Sequence, residues 1–178
     1  MRKIIVTEFV SLDGVIDSPM WSMPYWNDEI AAFKGDEQTI CDTLLLGRVT
    51  YEGFAAAWPG RSDPGADFMN NAPKYVVSNS LETADWNNST IVGGDVPAEI
   101  AKLKQGDGKD ILVYGSGKLI ETLMEHDLVD SYRLLVYPVV VGAGRRLFGE
   151  GAKANLKLVE SKALPKGVLA LIYEPARD

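Results

Sequence analysis

The sequence has very few of the side chains that metal sites and disulfide frameworks need. It contains one cysteine, Cys41, and one histidine, His126, among 178 residues. A single thiol excludes an internal disulfide framework and a multi-cysteine zinc site, and a single imidazole excludes an HExxH or multi-histidine centre. No stretch approaches the roughly 20 apolar residues of a membrane span, and the first residues contain no secretory signal pattern. We therefore expect a cytoplasmic protein without a metal or a membrane partner.

Positive charge is also scarce. Lys and Arg number 18 against 25 Asp and Glu, which gives a net charge of −7. Affinity for nucleic acid comes mainly from clustered Lys and Arg, so this balance argues against a nucleic-acid partner. The chain is 46% hydrophobic and 9% aromatic, a composition too apolar for a disordered protein. With a prior of about 150 residues per domain, we expect one domain over residues 1–178.

Short β-rich runs alternate with amphipathic stretches over the first two-thirds of the chain. This alternation is typical of a mainly parallel sheet covered by helices. A β-rich segment at residues 129–141 and a hairpin around residues 165–167 follow, which predicts antiparallel additions at one edge of the sheet. Residues 18–26, with two prolines and two tryptophans, are predicted to form an ordered loop, and residues 60–71 a surface loop. The sequence thus predicts an α/β fold.

Two strand-to-helix junctions carry residue types that bind anions. In an open α/β sheet, ligands bind beyond the carboxyl ends of the strands, where helix N-termini point. At the first junction Gly47 allows close backbone approach, Arg48 offers a guanidinium and Thr50 a hydroxyl. At the second, residues 115–118, two glycines bracket a serine after a buried strand. Each junction alone could be an ordinary turn, but the pair favours a nucleotide cofactor.

The candidate proton-handling groups are Asp13 and Glu29. They flank the aromatic loop that contains Trp26, and a carboxyl walled by rings would have its pKa raised by desolvation. The alternatives are a turn residue for Asp13 and a favourable charge in a first helical turn for Glu29. His126 fits a helix end and Cys41 a core position, so neither is a catalytic candidate.

Five segments occur in a fixed order along the chain: SLDG at 11–14, LLLGRVTYE at 44–52, KYVVS at 74–78, ILVYGSGKL at 111–119 and YPVVVGAGRRLF at 137–148. In this order they resemble the dihydrofolate reductase-like superfamily. They are most similar to the branch that contains the reductase domain of bacterial riboflavin biosynthesis. The resemblance covers nearly the whole chain.

The resemblance implies a three-layer α/β/α fold with a mixed, mostly parallel sheet of about eight strands and an antiparallel C-terminal hairpin. It also implies NADPH as the hydride donor and a homodimer. The first junction would take cofactor phosphates, the segment after residue 77 would lie near the ribose and its 2′-phosphate, and the second junction would contact the pyrophosphate and the nicotinamide. The residues that it assigns to the cofactor are Gly47, Arg48, Thr50, Ser78, Asn79, Gly115, Ser116, Gly117 and Lys118.

The substrate is constrained by two further positions in this resemblance. Glu29 aligns with the carboxylate that protonates the pteridine in the classical enzymes. Ala72 and Pro73 occupy the place of the arginine that holds the tail of folate, which disfavours folate by a charge-assisted pair worth roughly 1.5–3 kcal/mol. Trp26 and Tyr51 are predicted to contact the substrate.

The leading hypothesis is an NADPH-dependent reductase of a small heterocycle, of the 5-amino-6-(5-phosphoribosylamino)uracil reductase type. A dihydrofolate or pteridine reductase is the first alternative. An alternative of another class is a protein that binds a nucleotide or a flavin without turnover, since convincing acid–base residues are few. The long apolar segment at residues 134–141, together with the family resemblance, predicts a homodimer.

Overall fold

Five strands and five α-helices lie within the first 125 residues, and three strands follow. In the computed structural model, which describes residues 1–177, the strands are β1 (Ile4–Ser11), β2 (Cys41–Gly47), β3 (Lys74–Val77), β4 (Ser89–Val92), β5 (Asp110–Tyr114), β6 (Ser131–Tyr137), β7 (Leu156–Ala163) and β8 (Leu169–Pro175). The α-helices are α1 (Asp28–Ile40), α2 (Arg48–Ala57), α3 (Ala66–Asn71), α4 (Val96–Gln105) and α5 (Gly117–Glu125). Two short 3-10 helices span Pro19–Tyr25 and Pro165–Gly167.

The eight strands form one mixed sheet in the order β4-β3-β2-β5-β1-β6-β8-β7. The first six strands in this order pair in parallel. Strand β8 is antiparallel to both β6 and β7. The predicted α/β fold, mostly parallel with an antiparallel C-terminal hairpin, is confirmed.

Helices cover both faces of the sheet, and β1 shows how the core is divided. Ile4 and Val6 pack in a cluster with residues of α4 and α5. Ile5 packs in a second cluster with residues of α2 and α3, and Phe9 in a third with residues of α1. Because side chains alternate along a strand, α4 and α5 lie on one face and α1, α2 and α3 on the other. None of the helices within residues 1–177 is long and apolar enough to cross a membrane.

Two segments differ from the sequence prediction. The predicted loop at residues 60–71 contains helix α3, which buries Met69 in the second cluster. Its apolar positions are too few to stand out in a segment rich in Gly, Asp and Asn. The β-rich segment at 129–141 pairs only as far as Tyr137, because the next residue, Pro138, has no N–H to donate to a neighbouring strand.

Lys74, the first residue of β3, is fully buried and joins two loops. Its ammonium donates hydrogen bonds to the carbonyl oxygens of Asn70 at 3.2 Å, Ala72 at 2.9 Å and Asn87 at 2.9 Å. The same ammonium lies 4.3 Å from the ring centre of Trp86. A single cation thus satisfies three carbonyl groups on the side of β3 away from its carboxyl end.

Replacing Lys74 with Met should destabilise the protein. Lys74→Met keeps an apolar stem but leaves three carbonyl groups without their donor, so we expect the free energy of unfolding to fall by about 1–3 kcal/mol in urea denaturation. Lys102→Met is the control, because Lys102 pairs with Glu99 on an exposed helix surface and such pairs contribute about 0–1 kcal/mol. Equal stability of the two variants would contradict the buried role of Lys74.

Candidate active site

The carboxyl ends of the parallel strands bring the predicted cofactor residues to one edge of the sheet. Gly47 of β2 pairs with Val77 of β3, and Val77 with Val92 of β4, so the turns that follow these strands lie side by side. Strand β5 flanks β2 on its other side. Three groups of predicted residues lie along this edge. They are Ser78 and Asn79 after β3; Gly47 at the end of β2 with Arg48 and Thr50 in α2; and Gly115, Ser116, Gly117 and Lys118 after β5.

The turns after β2 and β5 touch each other through the Ser116 hydroxyl. The Gly47 N–H donates to Ser116 Oγ at 2.7 Å, and Ser116 Oγ donates to Thr50 Oγ1 at 2.9 Å. A Cβ on Gly47 would lie 3.1 Å from the Ser116 Cβ, which is a tight contact, so glycine lets the two turns approach closely. Gly115 and Ser116 both have positive φ, at 50° and 71°, and the peptide bond between them is trans. The two predicted anion-binding junctions therefore form one structure.

Helices α2 and α5 begin at this contact, and neither has a side-chain cap from the described chain. By contrast, Asn27 caps α1 by accepting from two backbone N–H groups, and Asp95 caps α4. Uncapped helix N-termini present free N–H groups and the positive end of the helix dipole. Two adjacent N-termini of this kind suit a phosphate or pyrophosphate.

Two arginines lie beside these N-termini. Arg48, in the first turn of α2, is exposed and pairs with Glu52 at 3.0 Å. The Arg145 side chain lies against Gly117 and pairs with Glu121 at 2.7 Å. Both guanidinium groups are held by single exposed carboxylates, and exposed pairs of this kind are weak. They remain available to an anionic ligand at this edge.

Ser78 and Asn79 continue the edge beyond β3. Ser78 Oγ accepts hydrogen bonds from the N–H groups of Ser80 at 3.2 Å and Leu81 at 3.0 Å. Asn79 Oδ1 accepts from the N–H of Gly94, which follows β4, at 3.4 Å. These bonds order the turn next to Arg48, and the contact of Ser78 and Asn79 with a cofactor stays a prediction.

Asp13 anchors a neighbouring loop. Its carboxylate accepts hydrogen bonds from the Ser11 hydroxyl at 2.6 Å and from the N–H groups of Val141 at 3.1 Å and Gly142 at 2.8 Å. The Ser11 hydroxyl, followed by the two N–H groups, lowers the pKa of Asp13 to about 2. The expected rise in this pKa is wrong, because hydrogen-bond donors rather than ring faces surround the carboxylate. Asp13 is ionised and holds the two loops together.

The other predicted catalytic and substrate residues are spread over the molecule. Glu29 lies in the first turn of α1 and pairs with Lys162 of β7 at 2.7 Å. Tyr51 is buried, and its hydroxyl accepts from the N–H of Trp86, just before β4. Because β7 and β4 are the opposite edges of the sheet, the structure does not bring Glu29 and Tyr51 together. Trp26 is 48% exposed at the end of the first 3-10 helix.

A row of polar side chains crosses the sheet face that α1 covers. Thr7 of β1 is in register with Tyr114 of β5 on one side and with Arg133 of β6 on the other. From α1, the Lys34 ammonium donates to Thr7 Oγ1 at 2.7 Å and pairs with Glu37 at 2.6 Å. The Thr7 hydroxyl donates to Glu37 Oε1 at 2.7 Å, and Arg133 Nε lies 3.4 Å from the same oxygen. We call these five residues the polar row.

The sequence reasoning missed the polar row, although α1 carries a signal for it. Ile30, Phe33, Lys34 and Glu37 have the i, i+3, i+4, i+7 spacing of one helix face. Ile30 and Phe33 pack in the third cluster, so the two charged residues fall on the buried face as well. Burial lowers the pKa of Lys34, while the Glu37 carboxylate opposes that shift. A charged residue at a core position of an amphipathic helix is therefore the sequence pattern that predicts such a buried polar cluster.

Glu8 is buried on the opposite face of the sheet. Its neighbours along β1, Val6 and Val10, pack in the first cluster, and Glu8 Oε1 has no hydrogen-bond partner among residues 1–177. Burial raises the pKa of Glu8 to about 8, and the charge of Lys34 opposes the rise only in part. The Glu8 carboxyl is therefore mostly protonated at neutral pH.

The buried Glu8 carboxyl predicts a pH-dependent stability. Between the ordinary pKa of 4.5 and the raised value of about 8, the folded state keeps a proton that the unfolded state has lost. The free energy of unfolding should therefore fall by up to about 1.4 kcal/mol per pH unit in that window and level off above it. Glu8→Gln removes this dependence, so its Tm relative to the parent protein should rise from about pH 5 to about pH 8.5.

The matched control for this measurement is Glu174→Gln, which changes an exposed carboxylate that pairs with Lys3. We expect only a small effect of this control on Tm. A Tm difference between Glu8→Gln and the parent protein that is flat across the pH range would contradict a buried, protonated carboxyl.

The order of strands and helices is that of a dihydrofolate reductase-like α/β fold. A dihydrofolate reductase from Enterococcus faecalis, in complex with NADP(H), superposes with a TM-score of 0.66 at 18% identity, over 98% of this chain and 97% of that one. A protein from Shewanella sp. PV-4, assigned provisionally to riboflavin biosynthesis, superposes with a TM-score of 0.77 at 22% identity, over 98% and 99% of the two chains. At these identities the likeness concerns the fold.

The family follows from the sequence. The model of the RibD C-terminal domain matches residues 2–170, and the chain belongs to that family. The uncharacterized protein YyaP of Bacillus subtilis (strain 168) is 31% identical over 178 residues, which covers 97% of this chain and 94% of the relative. The family and the structural neighbours support a reductase-like function.

Proposed function

We propose that this protein is an NADPH-dependent reductase of a small heterocyclic substrate. The observation that carries the proposal is the pair of adjacent, uncapped helix N-termini joined by the Ser116 hydroxyl. An array of free N–H groups at the carboxyl ends of β2 and β5 fits the phosphates of a dinucleotide. Membership of the RibD C-terminal domain family supports the same conclusion.

The residues at this edge would contact different parts of the cofactor. Gly47, Thr50 and the start of α2 would hold phosphate, and Arg48 would add charge beside it. The turn at 115–118, in which Gly115 and Ser116 have positive φ, would pack against the pyrophosphate. When bound, the nicotinamide supplies a hydride. The protein's own contribution is to bind, to orient and to exclude water.

Within this proposal, the leading reaction is that of a 5-amino-6-(5-phosphoribosylamino)uracil reductase, and dihydrofolate or pteridine reduction is the alternative. Ala72, where the classical enzymes carry the arginine that holds the folate tail, is buried and offers no charge to such a tail. NADPH oxidation in the presence of a pyrimidine or a pterin distinguishes the two reactions. Tight nucleotide binding with no oxidation by either compound would favour a non-catalytic nucleotide-binding protein.

Thermal unfolding with NADPH, with NADH and without a ligand tests the cofactor. A ligand at about 100 times its Kd stabilises the fold by about 2.7 kcal/mol, which is an easily measured shift in Tm. We expect a larger shift with NADPH than with NADH, because Arg48 and Ser78 lie where the 2′-phosphate is predicted. No shift with either nucleotide would refute the proposed function.

Arg48→Ala sharpens this measurement. The variant removes a guanidinium next to the predicted 2′-phosphate, and we expect it to weaken NADPH binding by about tenfold or more and NADH binding much less. Arg61→Ala is the matched control, because Arg61 is also an exposed arginine in an ion pair, with Asp63, away from this edge. Equal effects of the two variants on NADPH would contradict the role of Arg48.

A homodimer remains a prediction, but the structure reduces the apolar segment that suggested it to a few exposed residues. Leu134, Leu135 and Tyr137 are buried in the core of the same chain, so most of the apolar segment at 134–141 is already covered. Val140 and Val141 are exposed and could contact a second copy. Light scattering at micromolar concentration should give about twice the chain mass of 19.4 kDa; a monomeric mass would refute the dimer.

A further inference from the structure

The polar row is an incomplete network. The buried Glu37 Oε2 contacts the Lys34 ammonium at 2.6 Å. The buried Arg133 Nε lies 3.4 Å from Glu37 Oε1 and forms no hydrogen bond within the described part of the chain. The Lys34 ammonium has three N–H donors, of which one is directed to Thr7 and one lies at the Glu37 carboxylate. Buried polar groups in native proteins are normally satisfied, and those that are not call for a specific explanation.

Stability alone does not explain the polar row. Removing two charges from water costs several kcal/mol per ion, and well-packed apolar residues often replace a buried ion pair without loss. Lys34 and Glu37 lie on the same helix face as Ile30 and Phe33, which pack into the core. Apolar side chains at 34 and 37 would continue the apolar face of α1. The charges at 34 and 37 therefore point to recognition of a ligand.

Aromatic rings surround the Lys34 ammonium. Nζ lies 4.4 Å from the ring centre of Tyr114 and 5.4 Å from that of Phe9. Phe54 of α2 packs edge-on against Tyr114 at 5.9 Å between ring centres. Phe9, Phe54 and Tyr114 are all partly exposed. Lys34 thus lies between the apolar cluster under α1 and the one under α2, next to ring faces that suit a planar heterocycle.

Two basic side chains share one carboxylate at this place. Within the described chain, two cations, Lys34 and Arg133, pair here with the carboxylate of Glu37. Glu8, on the other face of the sheet, does not cancel the excess, because burial raises its pKa to about 8. A ligand that brings hydrogen-bond acceptors or negative charge would complete this network, whereas a cationic ring would be repelled.

We propose that Lys34 is a specificity-determining residue that selects planar, oxo-substituted heterocycles over protonated, amino-substituted ones. The Lys34 ammonium donates its remaining N–H to a ring carbonyl or a deprotonated ring nitrogen, while Phe9 and Tyr114 contact the ring. This inference rests on the proposed function, because it places the substrate ring between α1 and α2, beside the carboxyl ends of β1 and β5.

Two probes with the same ring frame test the proposal. Lumazine, a pteridine dione, presents carbonyl oxygens, whereas a diaminopteridine presents amino groups and protonates readily. Binding of each probe is measured by calorimetry to the full chain with saturating NADPH. We expect the parent protein to bind lumazine at least about tenfold more tightly than the diaminopteridine, the factor expected for one charge-assisted hydrogen bond.

Variants at position 34 assign this preference to the ammonium. Lys34→Met should abolish it, and Lys34→Arg, which keeps the charge and the donors, should retain it. Lys102→Met is the control, because it removes an exposed lysine that also pairs with a glutamate three residues away; it should leave the preference unchanged. If Lys34→Met does not fold, the preference of the parent protein and of Lys34→Arg still decides the question.

The outcomes separate this inference from the proposed function. A parent protein that gives the NADPH thermal shift but binds the diaminopteridine as well as lumazine, or better, would overturn the role of Lys34 alone. Binding of neither probe would overturn it too. Absence of the NADPH shift would refute the proposed function itself.

Discussion

The Ser116 hydroxyl joins the two halves of the candidate active site. It accepts the N–H of Gly47 after β2 and donates to Thr50 in α2, while Ser116 itself precedes α5. A single side chain therefore joins two helix N-termini that are 69 residues apart in sequence. The pairing of the parallel strands β2 and β5 brings them together. The order of the sheet, with β5 next to β2, is what makes this contact possible.

The N-termini of α2 and α5 differ from those of α1 and α4. The side chains of Asn27 and Asp95 accept hydrogen bonds from the first N–H groups of α1 and α4. These N–H groups are therefore already satisfied within the chain. The residue before α2 is Gly47, which has no side chain to act as a cap. The residue before α5 is Ser116, whose hydroxyl contacts Gly47 and Thr50 and does not cap its own helix. Free N–H groups at two adjacent helices can bind the same anion, which is why their coincidence at one edge supports a ligand-binding function.

Much of the fold could be derived from local patterns. The alternation of buried strands with amphipathic helices predicts a parallel sheet, and the turn residues around 165–167 predict the final hairpin, because both depend on neighbours in sequence. Helix α3 and the early end of β6 escaped prediction. Helix α3 is held by the burial of its Met69 in the second cluster, a tertiary contact that the local sequence pattern does not show. The early end of β6 depends on one proline in an otherwise apolar run.

The sequence alone predicts a mixed, mostly parallel sheet and the two junctions, since strand ends and glycine-containing turns are local properties. How the charged side chains are paired is decided only by tertiary structure. The pKa of Asp13 is lowered by the Ser11 hydroxyl and by two N–H groups from a distant loop. Lys34 meets Thr7 and Tyr114 because the sheet places β1 beside β5. The pKa of a carboxyl or an ammonium depends on burial and on donors brought from elsewhere in the chain, and no window of sequence contains that information.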